Sequence, residues 1–214
     1  MADIPKAMQK TIKLICSIVL LTISFISLSL ASPPEKPLLL SEIQNYHFES
    51  LKQYGDSAIP PLLELYKEGN NDQKAKVAGA LYYLSIKSED AREVLMKDIH
   101  TSDSALRLQV QWAVGRVSND EVVIRALLDN MRNDPNPVFR DKAACALAHD
   151  QPHLTEKQRV LLLEGLVQSL EDEKPDVRNI ASLALQIQTG QNKGSVQAWK
   201  DWVAEYRRNI YGTL

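Results

Sequence analysis

Apolar residues recur along most of this chain at the spacing of amphipathic helices, three or four positions apart. In residues 72–85, for example, Val77, Ala80, Leu81 and Leu84 fall on one helical face. Runs that alternate polar and apolar residues are missing, and so are the Asn-Gly and Asp-Gly pairs that favour hairpin turns. The pattern therefore predicts an all-α protein.

The helical pattern repeats along the chain. Residues 137–147 (PVFRDKAACAL) are echoed further along by residues 175–185 (PDVRNIASLAL), so that Arg140 aligns with Arg178. One repeat earlier, Arg107 aligns with Arg140 in the same way. Repeats at this spacing that are built from paired helices are typical of α-solenoids, in which neighbouring repeats must stack to bury their apolar stripes.

The repeat predicts a fold and its boundaries. We expect a right-handed α-solenoid of about four helix pairs, ended by a C-terminal capping helix. The predicted segments are an extended linker over 32–40, a leading helix over about 38–53, a repeat domain over 41–214 with pairs over 53–88, 89–118, 119–154 and 155–190, and a capping helix over 195–210.

An aspartate precedes each predicted second helix. Such side chains can accept hydrogen bonds from the unpaired amides of the first helical turn. They can also pair with arginines in a ladder between repeats. The residues concerned are Asp72, Asp103, Asp134 and Asp172, with Arg107, Arg140 and Arg178 as the candidate donors.

These segments resemble those of a known family. Residues 58–63 (AIPPLL) look like the opening of the first helix of a HEAT repeat, and the segments 137–147 and 175–185 look like the second helix. The resemblance covers about residues 53–210 and is specific for fold. It implies a scaffold that binds another protein, but it does not identify that partner.

Residues 1–31 have the pattern of an export signal. Three lysines precede the apolar run 14–31, which ends in the small-residue motif Ser29-Leu30-Ala31. This order is typical of a secretory signal peptide, and we expect cleavage after Ala31. The alternative is an uncleaved anchor, because the apolar run is close to the length that spans a membrane. Either way, the repeats would lie outside the cytoplasm, in the periplasm or secreted.

Charge and cysteine content exclude some functions. The net charge is −2, so no overall basic field attracts nucleic acid. The two cysteines are Cys16, within the predicted signal, and Cys145. A single mature cysteine cannot form an internal disulfide framework.

The sequence holds no phosphate-binding glycine loop, nucleophile elbow, zincin motif or calcium loop. His149 and His153 are close together, but Pro152 places them in a loop. We therefore expect no metal, no cofactor and no enzymatic activity. The enzymatic alternative is a lyase, since phycobilin lyases also carry HEAT-like repeats, with Cys145 or the histidine loop as the active group.

One face of the second helices is a candidate surface for a partner protein. In a solenoid these helices usually line the concave side. The candidate binding residues are Lys76, Tyr83, Gln109, Trp112, Arg116, Lys142 and His149. Tyr, Trp and Arg dominate the energetics of many interfaces. The alternative is that Tyr82, Tyr83 and Trp112 only pack between repeats.

The last row of this face is apolar, with Ile180, Leu183 and Ile187. Left exposed, it would form an apolar patch at the end of the array. We therefore expect the final helix, which carries Trp199 and Trp202 on one face, to cover part of this row.

Overall fold

The computed structural model describes residues 33–151 and 153–212, so the predicted export signal lies outside the described residues. Within that part, all regular structure is helical, as the sequence predicts. The elements are α1 (Lys36–Gln44), a 3₁₀ segment (Phe48–Ala58), α2 (Ile59–Glu68), α3 (Asn71–Leu84), α4 (Glu89–Met96), α5 (Ser104–Val117), α6 (Glu121–Asn133), α7 (Pro137–His149), α8 (Glu156–Ser169), α9 (Pro175–Thr189) and α10 (Val196–Tyr211).

The helices pack as consecutive pairs, α2 with α3, α4 with α5, α6 with α7 and α8 with α9. The second helices form one row, α3–α5–α7–α9, in which each contacts the next. The first helices form a second layer, in which α2 contacts α4, and α6, α8 and α10 follow one another. The arrangement confirms the predicted all-α fold of stacked helix pairs.

Small residues let the helices approach closely. The alanines at the repeat positions, Ala80, Ala113, Ala146 and Ala184, are all buried. Between α6 and α8 the same role falls to Gly165, where an added Cβ would lie 2.3 Å from the Leu128 side chain. A larger residue at these positions would overpack the interface and push the helices apart.

The N-terminal end differs from the prediction. Helix α1 starts at Lys36, inside the segment predicted as an extended linker over 32–40. Pro37 lies in its first turn, where a proline removes no hydrogen bond because those amides have no helical partner. The prediction of an extended chain for residues 36–40 is therefore wrong. The leading helix is also shorter than expected, because a separate 3₁₀ segment follows it.

One of the predicted aspartate caps is confirmed. Asp103 accepts a hydrogen bond from the Leu106 amide at 2.9 Å and caps α5. At the start of α8, Thr155 and Gln158 form a capping box.

The other aspartates do not cap. Asn70 rather than Asp72 caps α3, and Asn136 rather than Asp134 caps α7. Asp134 and Asp172 instead accept from backbone amides two positions further along, in the turn before the helix. These aspartates therefore stabilise the turn and leave the cap position to a later residue.

The predicted ladder between repeats forms with some changes of partner. Arg107 pairs with Asp134 at 3.2 Å. Arg140 pairs at 2.5 Å with Asp176 of the next repeat, which is not one of the four candidate aspartates. Arg178 donates to the Asp172 carbonyl at 2.7 Å, so it fastens its own turn.

The C-terminal helix covers a different surface from the one expected. Helix α10 packs against α8, with Trp199 and Val203 buried in the shared core. Lys200 and Arg207 pair with Glu171 and Glu164 at 2.7 Å each. Tyr206 also donates to the Glu156 carboxylate. Helix α10 thus occupies the place that the first helix of a fifth pair would take.

The expectation that the final helix covers the last apolar row is therefore wrong. Leu183 is 57% exposed and Ile187 is 40% exposed. The reason is geometric: their row faces the groove between α7 and α9, whereas α10 continues the layer of first helices.

This arrangement predicts opposite effects for two substitutions. Trp199→Ala removes a side chain that is 3% exposed, and it should lower the free energy of unfolding by about 3–5 kcal/mol. Leu183→Ser alters an exposed side chain and should change that energy by less than about 0.5 kcal/mol. Urea denaturation followed by circular dichroism measures both. Equal destabilisation by the two variants would contradict the placement of α10.

Candidate functional site on the second helices

The second helices place the seven candidate residues on one side of the row, but in three environments. Some contact other side chains of the protein, some line a groove between α3 and α5, and some lie on α7 near a groove between α7 and α9. Tyr83, on α3, is held by the 3₁₀ segment. Its hydroxyl donates to the Glu49 carboxylate, and its ring lies 5.9 Å from the Phe48 ring. The Lys52 ammonium lies 4.8 Å from the Tyr83 ring centroid. Much of this side chain is therefore already engaged within the protein.

Lys76 and Gln109 line a groove between α3 and α5, with a cavity volume of about 280 Å³. Tyr46 and Phe48 close one side of this groove. Gly79 forms part of its floor, and a Cβ there would lie 3.2 Å from the Gln109 amide oxygen. The absence of a side chain at position 79 thus leaves room for these neighbours.

The middle of the face is filled by side chains of the protein itself. The Trp112 ring lies 6.0 Å from the Tyr82 ring. Arg116 donates through Nε to Asp150 Oδ1 at 2.6 Å and through Nη2 to the Tyr82 hydroxyl at 3.2 Å. Tyr82, Trp112 and Arg116 therefore join consecutive repeats; the packing alternative supposed this for Tyr82 and Trp112 but not for Arg116.

Asp150 is the buried end of this network. Its side chain is only 3% exposed, whereas Arg116 is 31% exposed. Burial raises the pKa of the Asp150 carboxyl, and the hydrogen bond from Arg116 opposes that shift. Keeping the carboxylate charged here costs solvation free energy, which the arginine offsets.

A second groove lies between α7 and α9. Its lining is mostly apolar and includes Cys145, Ile180, Leu183 and Ile187, and its cavity volume is about 120 Å³. His149 is exposed at one end of it. Here the side chains of Leu183 and Ile187 are only partly covered by the described residues, and the rest of their apolar surface faces outward.

Two further residues belong to this part of the face. Lys142 is half-buried on α7 and pairs at 3.2 Å with Asp141, which lines the groove. Val138 is 56% exposed in the first turn of α7. Sequence reasoning passed over Val138, although its position two helical turns before Cys145 placed it on the same face.

The thiol of Cys145 sits in a lowered dielectric environment. Burial raises the pKa of the Cys145 thiol, Asp150 and Asp141 add to that shift, and Lys142 opposes it. Because the thiolate is the reactive form, this environment suppresses nucleophilic chemistry at neutral pH.

The described part of the chain has neither a cluster of metal ligands nor a membrane-spanning helix. Among residues 33–151 and 153–212, no three metal-ligating side chains come together. None of the helices in those ranges is long and apolar enough to cross a membrane.

We predict that alkylation of Cys145 follows its raised pKa. In a Cys16→Ser chain, the rate with iodoacetamide should rise with pH through a midpoint above that of an ordinary thiol, about 8.5. Mass spectrometry of samples quenched over time gives the rate, and the same chain unfolded in urea is the control. Folded protein that reacts at neutral pH as fast as unfolded protein would favour the enzymatic alternative.

Comparison with known proteins agrees with this architecture. Residues 59–148 match the family described as HEAT repeats. The chain also resembles an engineered protein whose crystal structure came from the Northeast Structural Genomics Consortium, with 17% identity over 70% of each chain and a TM-score of 0.44. A likeness at that level carries no argument about this chain. No curated protein matches the sequence significantly. The chain is thus a helical-repeat protein, and its residues 59–148 match HEAT repeats.

Proposed function

We propose that this protein is an exported, non-enzymatic scaffold that binds another protein through the face of its second helices. The observation that carries the proposal is the exposure of Leu183 and Ile187, 57% and 40%, beside the apolar groove between α7 and α9. Exposed apolar patches on soluble proteins commonly mark interaction sites. A partner that covered these side chains would gain the free energy of removing them from water.

The polar rim of this groove would orient the partner. Asp141 and His149 of α7 line the groove and Lys142 pairs with Asp141, so polar groups border an apolar centre. Interfaces commonly have this composition, in which the centre supplies affinity and the rim supplies specificity.

The seven candidate residues differ in how free they are to contact a partner. Tyr83, Trp112 and Arg116 already have partners within the protein, so replacing them would alter stability together with binding. His149 lines the open groove and Lys142 pairs with Asp141 of its lining, so these two are the members that we assign to direct contact. Lys76 and Gln109 line the other groove and would contact a partner only if it extended along the row.

The proposed location rests on the N-terminal sequence. The apolar run 14–31 and its small-residue end favour export and release into the periplasm or the medium. No nucleic acid is expected as a partner. If the run stays uncleaved, the protein becomes a membrane-anchored spacer that presents the same face.

N-terminal sequencing separates release from anchoring. Protein recovered from the producing cells should begin at Ser32, because cleavage is expected after Ala31. Recovery in the soluble fraction after osmotic shock is the matching measurement. A chain that still begins at Met1 and stays with the membranes would instead support the anchored spacer.

Site-specific crosslinking tests the binding face. A photo-crosslinking amino acid at position 183 or 187 should yield a discrete adduct in producing cells, identified by mass spectrometry. Position 122 is the matched control, because Val122 is 49% exposed but lies on α6, among the first helices. With the partner identified, Ile187→Asp should weaken binding by about tenfold or more, whereas Val122→Asp should not. Adducts from position 122 alone would assign binding to the opposite side.

A further inference from the structure

The junction between the second and third helix pairs is unusually polar. Gln111, on α5, is fully buried, and neither its amide nitrogen nor its amide oxygen has a hydrogen-bond partner among the described residues. The alignment that places Arg107 on Arg140 also places Ala78 and Ala144 at the repeat position of Gln111. A buried amide without partners destabilises the folded state, because it has lost its hydrogen bonds to water and gained none within the protein. This junction therefore carries a penalty that the alanines at the neighbouring positions avoid.

Other unpartnered atoms lie at the same junction. Of six buried side-chain polar atoms without a partner in the described part of the chain, four belong to Arg107, Gln111 and Gln151. Arg107 contacts Asp134 and the Phe139 ring across the junction, and Gln151 donates to the Gly115 carbonyl at 3.3 Å. These residues lie together where α5 meets α7 and the turns at its two ends, and we call this region the polar seam.

The ion pairs that cross this seam are the most buried ones in the described chain. Asp134 and Asp150 are each 3% exposed, and they pair with Arg107 and Arg116. Pairs of this kind contribute little net stability, because desolvation of the charges offsets their attraction. They fix the register of the repeats but add little to the cohesion of the junction.

The layer of first helices gives this seam little support. Helix α4 is short, from Glu89 to Met96, and barely touches α6. At the next junction α6 packs against α8, and at the preceding one α3 packs closely on α5. The second and third pairs are therefore joined mainly through α5 and α7.

We infer that the solenoid consists of two cooperative blocks, α1–α5 and α6–α10, which flex and open separately at this polar seam. In repeat proteins the stability is roughly a sum of repeat terms and nearest-neighbour interface terms, so a weak interface uncouples the repeats on either side. The seam lies between the α3/α5 groove and the α7/α9 groove. Flexing there changes the distance and angle between the two grooves, whatever they bind.

Native-state hydrogen exchange tests this inference with two matched core substitutions in the full chain. Leu62, on α2, is fully buried and Leu163, on α8, is 1% exposed. Leu163→Ala should accelerate exchange of the slowest amides of α6–α9 by about thirtyfold or more, and those of α2 and α3 by less than about twofold. Leu62→Ala should give the reverse pattern. Equal acceleration in both blocks by either variant would overturn the inference.

A further substitution assigns the uncoupling to the seam. In the Leu163→Ala background, Gln111→Leu removes the unpartnered amide, and the acceleration should then extend to α2 and α3. Gln197→Leu, at an exposed position of α10, is the control and should leave the two blocks separate. If Leu163→Ala unfolds the second block entirely, protected amides in α2 and α3 support the inference, and their loss overturns it.

Discussion

The structure depends on one constraint, that no helix pair of this chain can bury its apolar stripe alone. Each pair must pack against the next, and the second helices can approach closely because alanines occupy the repeat position at 80, 113, 146 and 184. The same closeness recurs in the other layer, where Gly165 admits the side chain of Leu128. Stability is therefore distributed along the row as a series of interfaces, and each interface can differ in composition.

Those differences divide the face of the second helices into regions. Between α3 and α5, Tyr46 and Phe48 border a groove, and nearer the C-terminal ends of the same two helices Tyr82 contacts Trp112 and Arg116. Between α5 and the end of α7, Arg116 pairs with Asp150. Between α7 and α9 the groove remains open and apolar. The position that holds an aromatic or a charged residue at one junction holds an isoleucine or leucine at another. The repeat thus supplies a common frame on which a binding surface and a structural network can coexist.

At the C-terminal end of the array, the two helix layers are covered differently. Helix α10 extends the layer of first helices and buries Trp199 against α8, while no helix of the described chain extends the layer of second helices. The cap protects the core of the last pair without touching the groove beside α9. A surface that a partner could use is therefore left open by the same arrangement that completes the fold.

The sequence alone determined the all-α fold, the helix pairs and the cap at 103, because helical periodicity and capping are local properties read over a short stretch of chain. The candidate site was predicted only in part: positions on one helical face follow from spacing, so the sequence identified His149, which lines the groove, and Lys142, which pairs with Asp141 of its lining. Tertiary structure alone decided which neighbour each face meets. In the folded protein α10 packs against α8 and not against the row at Leu183, and Arg116 pairs with Asp150 of the next repeat. Such choices depend on how whole layers stack, and no local pattern encodes them.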